Sequence, residues 1–183
     1  LTAWQGLLGR ARLAAGDRVL VHGAAGGVGV FAVQLARWRG ATVIGTASAH
    51  NAAFVRGLGA DEVIDYRTVR FEDIARGIDV VFDTVGGETL DRSWGVLKPG
   101  GRLVTIAASV EGSPDPRTRE AFLIVRPDRG QLNEITRLID AAQLWPVVDR
   151  VFPLARARQA SSSPRSTVTA EPERATRSPR VST

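Results

Sequence analysis

The sequence contains no cysteine and only two histidines, His22 and His50, among its 183 residues. The absence of cysteine excludes disulfides and thiolate metal ligands. A zinc site takes three or four ligands of the histidine, cysteine or carboxylate type, and two isolated histidines do not supply them. We therefore expect no metal centre in this chain. Because cysteine usage gives no sign of an oxidising compartment, we also expect a cytoplasmic location.

Lysine is nearly absent, since Lys98 is the only one and all other basic side chains are arginines mixed with acids. The net charge of +5 therefore forms no basic stripe interleaved with aromatics, and nucleic acid is not an expected partner. The first residues, with Arg10, Arg12 and Asp17, do not resemble a signal peptide. Residues 19–36 carry no charge, but their glycines argue against a membrane span.

The run from residue 19 to residue 36 holds an apolar strand, a glycine turn and an apolar helix in immediate succession. Glycines at such a turn let the main chain bend sharply and let a phosphate approach bare backbone. The first amides of the helix then point at the ligand, and the helix dipole favours its negative charge. The segment predicts a pyrophosphate-binding turn of a dinucleotide site. Its predicted contacts are Gly23, Ala24, Gly26, Gly27, Val28 and Gly29.

Short apolar strands alternate with helices after this turn, which is typical of a parallel sheet with helices on both faces. The pattern predicts an α/β fold with a doubly wound, six-stranded parallel sheet, the Rossmann fold. The strands are predicted to begin at Val19 and then to lie at 42–46, 62–65, 79–83, 102–106 and 121–125. The helices are predicted at 31–39, 51–58, 71–76, 90–96 and 132–143.

A different pattern follows this domain. Val147, Val148, Val151 and Phe152 predict a strand that leaves the sheet. Residues 161–183 contain ten serines and threonines, three prolines and no leucine, isoleucine or aromatic residue. Such a segment cannot bury enough apolar surface to offset its ordering entropy, so we expect it to be disordered.

Four segments together resemble the quinone oxidoreductase branch of the medium-chain dehydrogenase/reductases, a zinc-free branch of the zinc-binding dehydrogenase family. They occur in the order and spacing of that family, and the resemblance covers residues 1 to about 160. The segments are His22–Gly29 (HGAAGGVG), Leu58–Tyr66 (LGADEVIDY), Asp83–Gly87 (DTVGG) and Leu97–Val104 (LKPGGRLV).

The resemblance implies a division of the chain. Residues 1–18 would be a helix that leads in from a catalytic domain, 19–143 the dinucleotide-binding domain, and 144–160 the start of the return into the catalytic domain. On this interpretation most of the catalytic domain is absent, and the chain is a fragment that is inactive alone. A reading-frame change near Ala160 would explain the composition that follows it.

The resemblance also implies the function and part of the site. Members of the branch reduce a quinone or enone-type carbonyl with a nicotinamide cofactor, and we expect a homodimer of the full-length protein. The nicotinamide ring would lie near two pairs of residues, with a third pair near its amide group. The pairs are Val85 and Gly86, Ile106 and Ala107, and Phe122 and Leu123. Plain core packing is the alternative explanation for Ile106 and Phe122.

The end of the second strand predicts the choice of cofactor. An acid there would bind the ribose 2′-OH of NADH, but the sequence has no acid between Thr46 and Asn51. Ser48 and Asn51 offer hydroxyl and amide donors to a 2′-phosphate, although both residue types also cap helices. By the resemblance, Tyr66 lines the adenosine phosphate pocket. We therefore expect NADPH rather than NADH.

Other functions fit less well. A short-chain dehydrogenase needs Tyr-x-x-x-Lys, whereas Tyr66 is followed by Arg70 at that spacing. A methyltransferase would need an acid at the end of the second strand. His22 is interpreted as a hydrogen-bonded core residue, and Asp65 and Asp83 as turn formers. A non-catalytic NADPH-binding module stays open as the alternative to the oxidoreductase.

Overall fold

The computed structural model describes residues 1–107, 115–148 and 151–158. Its centre is a parallel five-stranded sheet in the order β3-β2-β1-β4-β5. The strands are β1 (Arg18–Val21), β2 (Thr42–Ala47), β3 (Glu62–Asp65), β4 (Ile78–Asp83) and β5 (Leu97–Thr105). The chain runs outward from β1 to β3 and then returns to place β4 on the other side of β1. This order puts the switch point of the sheet between β1 and β4, as in the Rossmann fold.

Seven α-helices are found in the described ranges, joined by shorter 3₁₀ and π turns. They are α1 (Thr2–Trp4), α2 (Gly29–Trp38), α3 (Ala52–Gly57), α4 (Phe71–Ile74), α5 (Gly87–Ser93), α6 (Pro116–Ala121) and α7 (Arg129–Asp140). A π-helix at Gln5–Arg10 continues α1, and 3₁₀ turns lie at Ala49–Asn51, Trp94–Val96 and Leu154–Arg156. None of these helices is both long and apolar enough to cross a membrane.

Helices cover both faces of the sheet, and because successive strand residues point to opposite sides, each strand contributes to two cores. Val19 and Val21 of β1 pack into a core with α2, whereas Leu20 packs into a second core with Phe71 of α4. Phe82 of β4 belongs to the first core and is fully buried. The α/β class, the parallel sheet and the helices on both faces are therefore as predicted.

The predicted sixth strand at 121–125 is wrong, and the described residues form five strands. Helix α6 extends to Ala121, and Phe122 makes only an isolated parallel bridge with Thr105. Because β5 ends at Thr105, the described residues offer no extended neighbour to the rest of the segment. Ile124 is accordingly 71% exposed, and Pro127, which has no amide hydrogen, follows closely.

The predicted strand from Val147 to Leu154 is also absent from the described residues, which omit 149 and 150. Val151 is 87% exposed, and Leu154 begins a 3₁₀ turn. A strand needs hydrogen-bonding partners on a neighbouring strand, and the described residues of this segment form no β-bridge. The predicted disordered segment at 161–183 lies outside the described residues.

We predict that Phe82→Ala lowers the free energy of unfolding by about 3–5 kcal/mol, because truncating a buried phenylalanine leaves a cavity. Leu154→Ala is the matched control, since Leu154 is 91% exposed and should change stability by less than about 0.5 kcal/mol. Urea unfolding followed by circular dichroism measures both. Equal effects of the two substitutions would contradict the central position of β4.

Candidate functional site

The carboxyl end of β1 continues into a tight turn that leads to α2. The amide of Gly23 donates to Thr46 Oγ1 at 3.3 Å, and the amide of Ala24 donates to Thr46 O at 3.0 Å. The amide of Gly26 donates to Gly23 O at 2.8 Å. The predicted phosphate-binding turn is therefore a closed loop that is attached to β2.

Two glycines of this turn leave no room for a side chain. A Cβ at Gly29 would lie 2.1 Å from Gly23 O, and Gly23 itself has φ of +68°. Both positions therefore require glycine. Gly27 differs, because it is exposed and a Cβ there would meet no heavy atom within 4 Å. The space beside Gly27 is open to a ligand.

The backbone amides of Gly27 and Val28, at and next to this open position, have no hydrogen-bond acceptor in the described part of the chain. Helix α2 begins at Gly29 and runs for ten residues, so the positive end of its dipole lies at the same place. Free amides together with a helix N-terminus are a suitable arrangement for a phosphate group.

Asp83 organises the neighbouring part of the same sheet edge. Its carboxylate is fully buried and accepts hydrogen bonds from the amides of Val85 and Gly86, at 3.0 and 3.1 Å. It also accepts from Thr105 Oγ1 at 2.7 Å. Asp83 is thus a turn former, as predicted, and it joins the end of β4 to the end of β5.

Thr105 then holds the segments that follow β5. The amide of Ala107 donates to Thr105 Oγ1 at 3.2 Å, and the amide of Leu123 donates to Thr105 O at 2.9 Å. The structure therefore brings together the two residue pairs that were predicted to lie near the nicotinamide ring and the third pair predicted near its amide group. The side chains of Ile106 and Phe122 pack against the first and second cores respectively, in agreement with the core interpretation.

Ser48 and Asn51 lie after β2, at the place where the sequence predicts contacts that favour NADPH over NADH. Neither side chain makes a capping hydrogen bond, so capping does not explain them. Within the described residues, Asn51 Oδ1 is buried without a hydrogen-bond partner. A half-turn of the amide exchanges its oxygen and nitrogen, so this group can accept from a hydroxyl or donate to a phosphate.

A cavity of about 520 Å³ opens beside the glycine turn, and three of its lining residues were predicted site residues: Gly23, Tyr66 and Val85. Tyr66 is 57% exposed, and the Arg67 guanidinium carbon lies 5.8 Å from its ring centroid. Among the described residues, Arg67 has no ion-pair partner. The cavity wall thus carries an aromatic ring and a cation side by side.

Two further arginines line this cavity and share one carboxylate. Arg70 and Arg92 contact Glu72 Oε1 at 2.9 and 3.0 Å. Burial opposes the ionisation of Glu72, but hydrogen bonds from its own backbone amide, Arg70 and Arg92 outweigh burial and lower its pKa. The cavity wall is therefore positively charged overall.

His22 lies at the inner end of this cavity and is fully buried. Its Nδ1 is 3.2 Å from Thr46 Oγ1, its Nε2 is 2.9 Å from Ser93 Oγ, and its ring meets Phe71 edge-on at 4.5 Å. The prediction of a hydrogen-bonded core histidine is confirmed.

Sequence reasoning missed Thr46, Ser93, Thr105 and Arg67. The available signal was positional, since Thr46 and Thr105 lie in the last two residues of β2 and of β5, at the edge where ligands of such sheets bind. Ser93 lies far along the chain from His22, and no local pattern relates the two residues.

Residues 58–166 match the family described as zinc-binding dehydrogenase, which is more than half of the chain. The chain belongs to the zinc-binding dehydrogenase family. This family lies in the medium-chain dehydrogenase/reductase superfamily, so the predicted resemblance is confirmed. The name refers to zinc, but the described residues contain no group of three or more histidine, cysteine, aspartate and glutamate side chains that fits a metal ion.

Three relatives illustrate the range of the family. The chain is 41% identical over 175 residues to the spectinabilin polyketide synthase system protein NorB of Streptomyces orinoci, across 86% of this chain and 8% of that protein. It is 36% identical to the chloroplastic NADPH-dependent alkenal/one oxidoreductase of Arabidopsis thaliana, across 88% and 40%. The quinone oxidoreductase of Coxiella burnetii has the same fold, with a TM-score of 0.80, 34% identity and coverage of 88% and 52%. The chain thus spans about half, or less, of each relative's length.

We predict that acid weakens the fold through His22. Burial lowers its pKa from 6.5 to about 4, while Asp83 opposes this change, Arg92 adds to it and Glu72 opposes it. As the pH falls below 6.5 the unfolded chain protonates this histidine, whereas the folded chain does so only near pH 4. The free energy of unfolding therefore falls across this window, by about 3 kcal/mol.

Urea unfolding at about pH 7 and at about pH 4.5 measures this loss of stability. His22→Gln removes the titrating ring, so the variant should lose clearly less stability between the two pH values than the unmodified chain. An identical pH dependence in the two proteins would show that other groups cause the loss.

Proposed function

We propose that this chain binds NADPH along the carboxyl edge of its sheet, as part of an oxidoreductase that transfers hydride to a quinone or enone-type carbonyl. The observation that carries the proposal is the pair of free amides, Gly27 and Val28, at the N-terminus of α2. Relatives that include a quinone oxidoreductase and an alkenal/one oxidoreductase support the acceptor class.

The pyrophosphate of the cofactor would lie beside Gly27. Charge-assisted hydrogen bonds from the free amides would hold it, without a positively charged side chain in the turn. The fit is supported by the open space at Gly27, which a side chain at that position would occupy. The proposed contacts here are those predicted from the sequence, Gly23, Ala24, Gly26, Gly27, Val28 and Gly29.

The adenosine end would lie where β2 and β3 finish. Ser48, Asn51 and Tyr66 remain the proposed contacts, and Arg67 adds a cation that can meet a 2′-phosphate. The turn after β2 has no acid that would favour the 2′-OH of NADH. Both features support NADPH over NADH.

The nicotinamide end would lie against Val85, Gly86, Ile106, Ala107, Phe122 and Leu123. The cofactor supplies the hydride, so these residues have only to orient the ring and exclude water. Backbone groups and apolar side chains suit that task. Asp83 and Thr105 would support them from behind, because they fix the backbone of the three segments.

A non-catalytic NADPH-binding module is the second candidate, because the chain spans about half, or less, of the length of its relatives. Steady-state oxidation of NADPH with a generic quinone distinguishes the two when this chain is compared with a protein that restores the N-terminal domain expected from the resemblance. Turnover by the restored protein would support the oxidoreductase, whereas binding of NADPH without turnover by either protein would support the module.

We predict that Gly27→Ala weakens NADPH binding about tenfold or more and leaves the unfolding transition nearly unchanged. The new methyl group meets no protein atom but occupies the space proposed for the pyrophosphate. A hydrogen bond to a charged group contributes about 1.5–3 kcal/mol, so the loss of even one is measurable. Isothermal titration calorimetry gives the dissociation constant.

Gly57→Ala is the control, since Gly57 is also exposed with open space at its Cβ position. Unchanged affinity in Gly27→Ala would contradict the proposed phosphate site.

We also predict tighter binding of NADPH than of NADH, with the difference reduced in Arg67→Gln. Glutamine keeps a polar, though shorter, side chain and removes the charge that would meet the 2′-phosphate, so NADH affinity should stay the same. Parallel titrations with the two nucleotides measure the ratio. Equal or tighter binding of NADH by the unmodified chain would rule out the assignment.

A further inference from the structure

The buried ring of His22 connects the glycine turn to helix α5. His22 is the first residue after β1, and both of its ring nitrogens have a hydroxyl partner. On one side Thr46 Oγ1 lies 3.2 Å from Nδ1, and on the other Ser93 Oγ lies 2.9 Å from Nε2. None of the proposed cofactor contacts involves this ring, so its hydrogen bonds need a separate explanation.

The position of the proton on this ring follows from its neighbours. The hydroxyl of Ser93 has a single hydrogen, which it donates to Thr89 O at 2.6 Å. Ser93 Oγ can therefore only accept from the imidazole, so the hydrogen of neutral His22 lies on Nε2. Nδ1 is then an acceptor, and the hydroxyl of Thr46 donates to it. Burial lowers the pKa of His22 to about 4, which keeps the ring neutral near pH 7.

This direction leaves Thr46 Oγ1 with lone pairs for the glycine turn. It accepts the amide of Gly23 at 3.3 Å, while Thr46 O accepts the amide of Ala24 at 3.0 Å. Gly23 O in turn accepts from Gly26. One threonine, oriented by His22, thus holds two consecutive amides of the turn.

We propose that His22, as its Nε2–H tautomer, is a positioning residue that orients Thr46 and so holds the glycine turn ready for the pyrophosphate of a dinucleotide. This inference rests on the proposed cofactor function. In this role, the His22 ring touches no reacting atom. The ring acts by accepting one hydrogen bond on Nδ1 while donating another from Nε2, a combination that fixes the Thr46 hydroxyl in one orientation.

The tautomer is tested in the unmodified chain, without a substitution. Long-range proton–nitrogen correlation spectra of the labelled protein near pH 7 distinguish the Nε2–H from the Nδ1–H form. We expect the Nε2–H form and a Gly23 amide that exchanges slowly with solvent. The Nδ1–H form, or rapid exchange at Gly23, would overturn the inference whether or not the chain binds a nucleotide.

The effect on binding is tested with Thr46→Val, which keeps the shape of the side chain and its backbone carbonyl but removes the hydroxyl. We expect NADPH to bind about tenfold more weakly, the equivalent of about 1.4 kcal/mol. Thr46→Ser restores the hydroxyl and should recover most of the affinity. A hydroxyl that served only the stability of the fold would leave the NADPH affinity of the folded chain unchanged in both variants.

Thr118→Val is the matched control for this substitution. Thr118 is 3% exposed, and its Oγ1 has no hydrogen-bond partner among the described residues. It should bind NADPH as the unmodified chain does. Normal affinity in Thr46→Val would overturn the inference while leaving the proposed function intact. No NADPH binding by the unmodified chain would reject the proposed function, and this inference with it.

Discussion

The arrangement of the sheet edge at the ends of β4 and β5 depends on the buried carboxylate of Asp83. Three donors from two elements converge on it: the amides of Val85 and Gly86 and the hydroxyl of Thr105. A buried carboxylate is tolerated only when such hydrogen bonds replace its water. Its removal would leave these donors unpaired inside the protein. The turn after β4 and the end of β5 therefore keep their relative positions through one side chain, and the Thr105 carbonyl extends this arrangement to Leu123.

The sequence was sufficient to predict the parts of the fold that rest on local pattern. The alternation of apolar strands and helices predicted five of the strands and the parallel sheet, and the glycine turn predicted its own position after β1. The sixth strand failed because residues 121–125 are apolar enough for a strand, but Phe122 meets β5 only at its last residue, Thr105, and the described residues offer no further strand to pair with. Local composition shows that these residues can form a strand, but a strand also needs a neighbouring strand, which local sequence does not reveal.

The candidate site was predictable to the same extent. A turn between a strand and a helix needs glycine at fixed positions, so Gly23 and Gly29 could be identified from their spacing in the sequence. The partners of His22 could not be identified in this way, because Ser93 and Thr46 belong to separate elements that only the folded structure brings together. Capping was a reasonable local explanation for Asn51, and it fails because the amide oxygen points into a buried space instead.

The proposed cofactor site contains two kinds of contact. The glycine turn offers neutral groups whose hydrogen bonds are set by Thr46 and His22, and it contains no charged side chain. The cavity beside it contains Arg67, Arg70 and Arg92, with Glu72 balancing only one of the three charges. Backbone hydrogen bonds are directional and fix position, whereas exposed arginine charges are screened by salt and act over a longer range. In the proposed site, the turn would therefore determine where a pyrophosphate lies, and the arginines would determine how strongly additional phosphate charge is attracted. Under this proposal, affinity for the shared part of the two nucleotides and preference between them rest on separate residues.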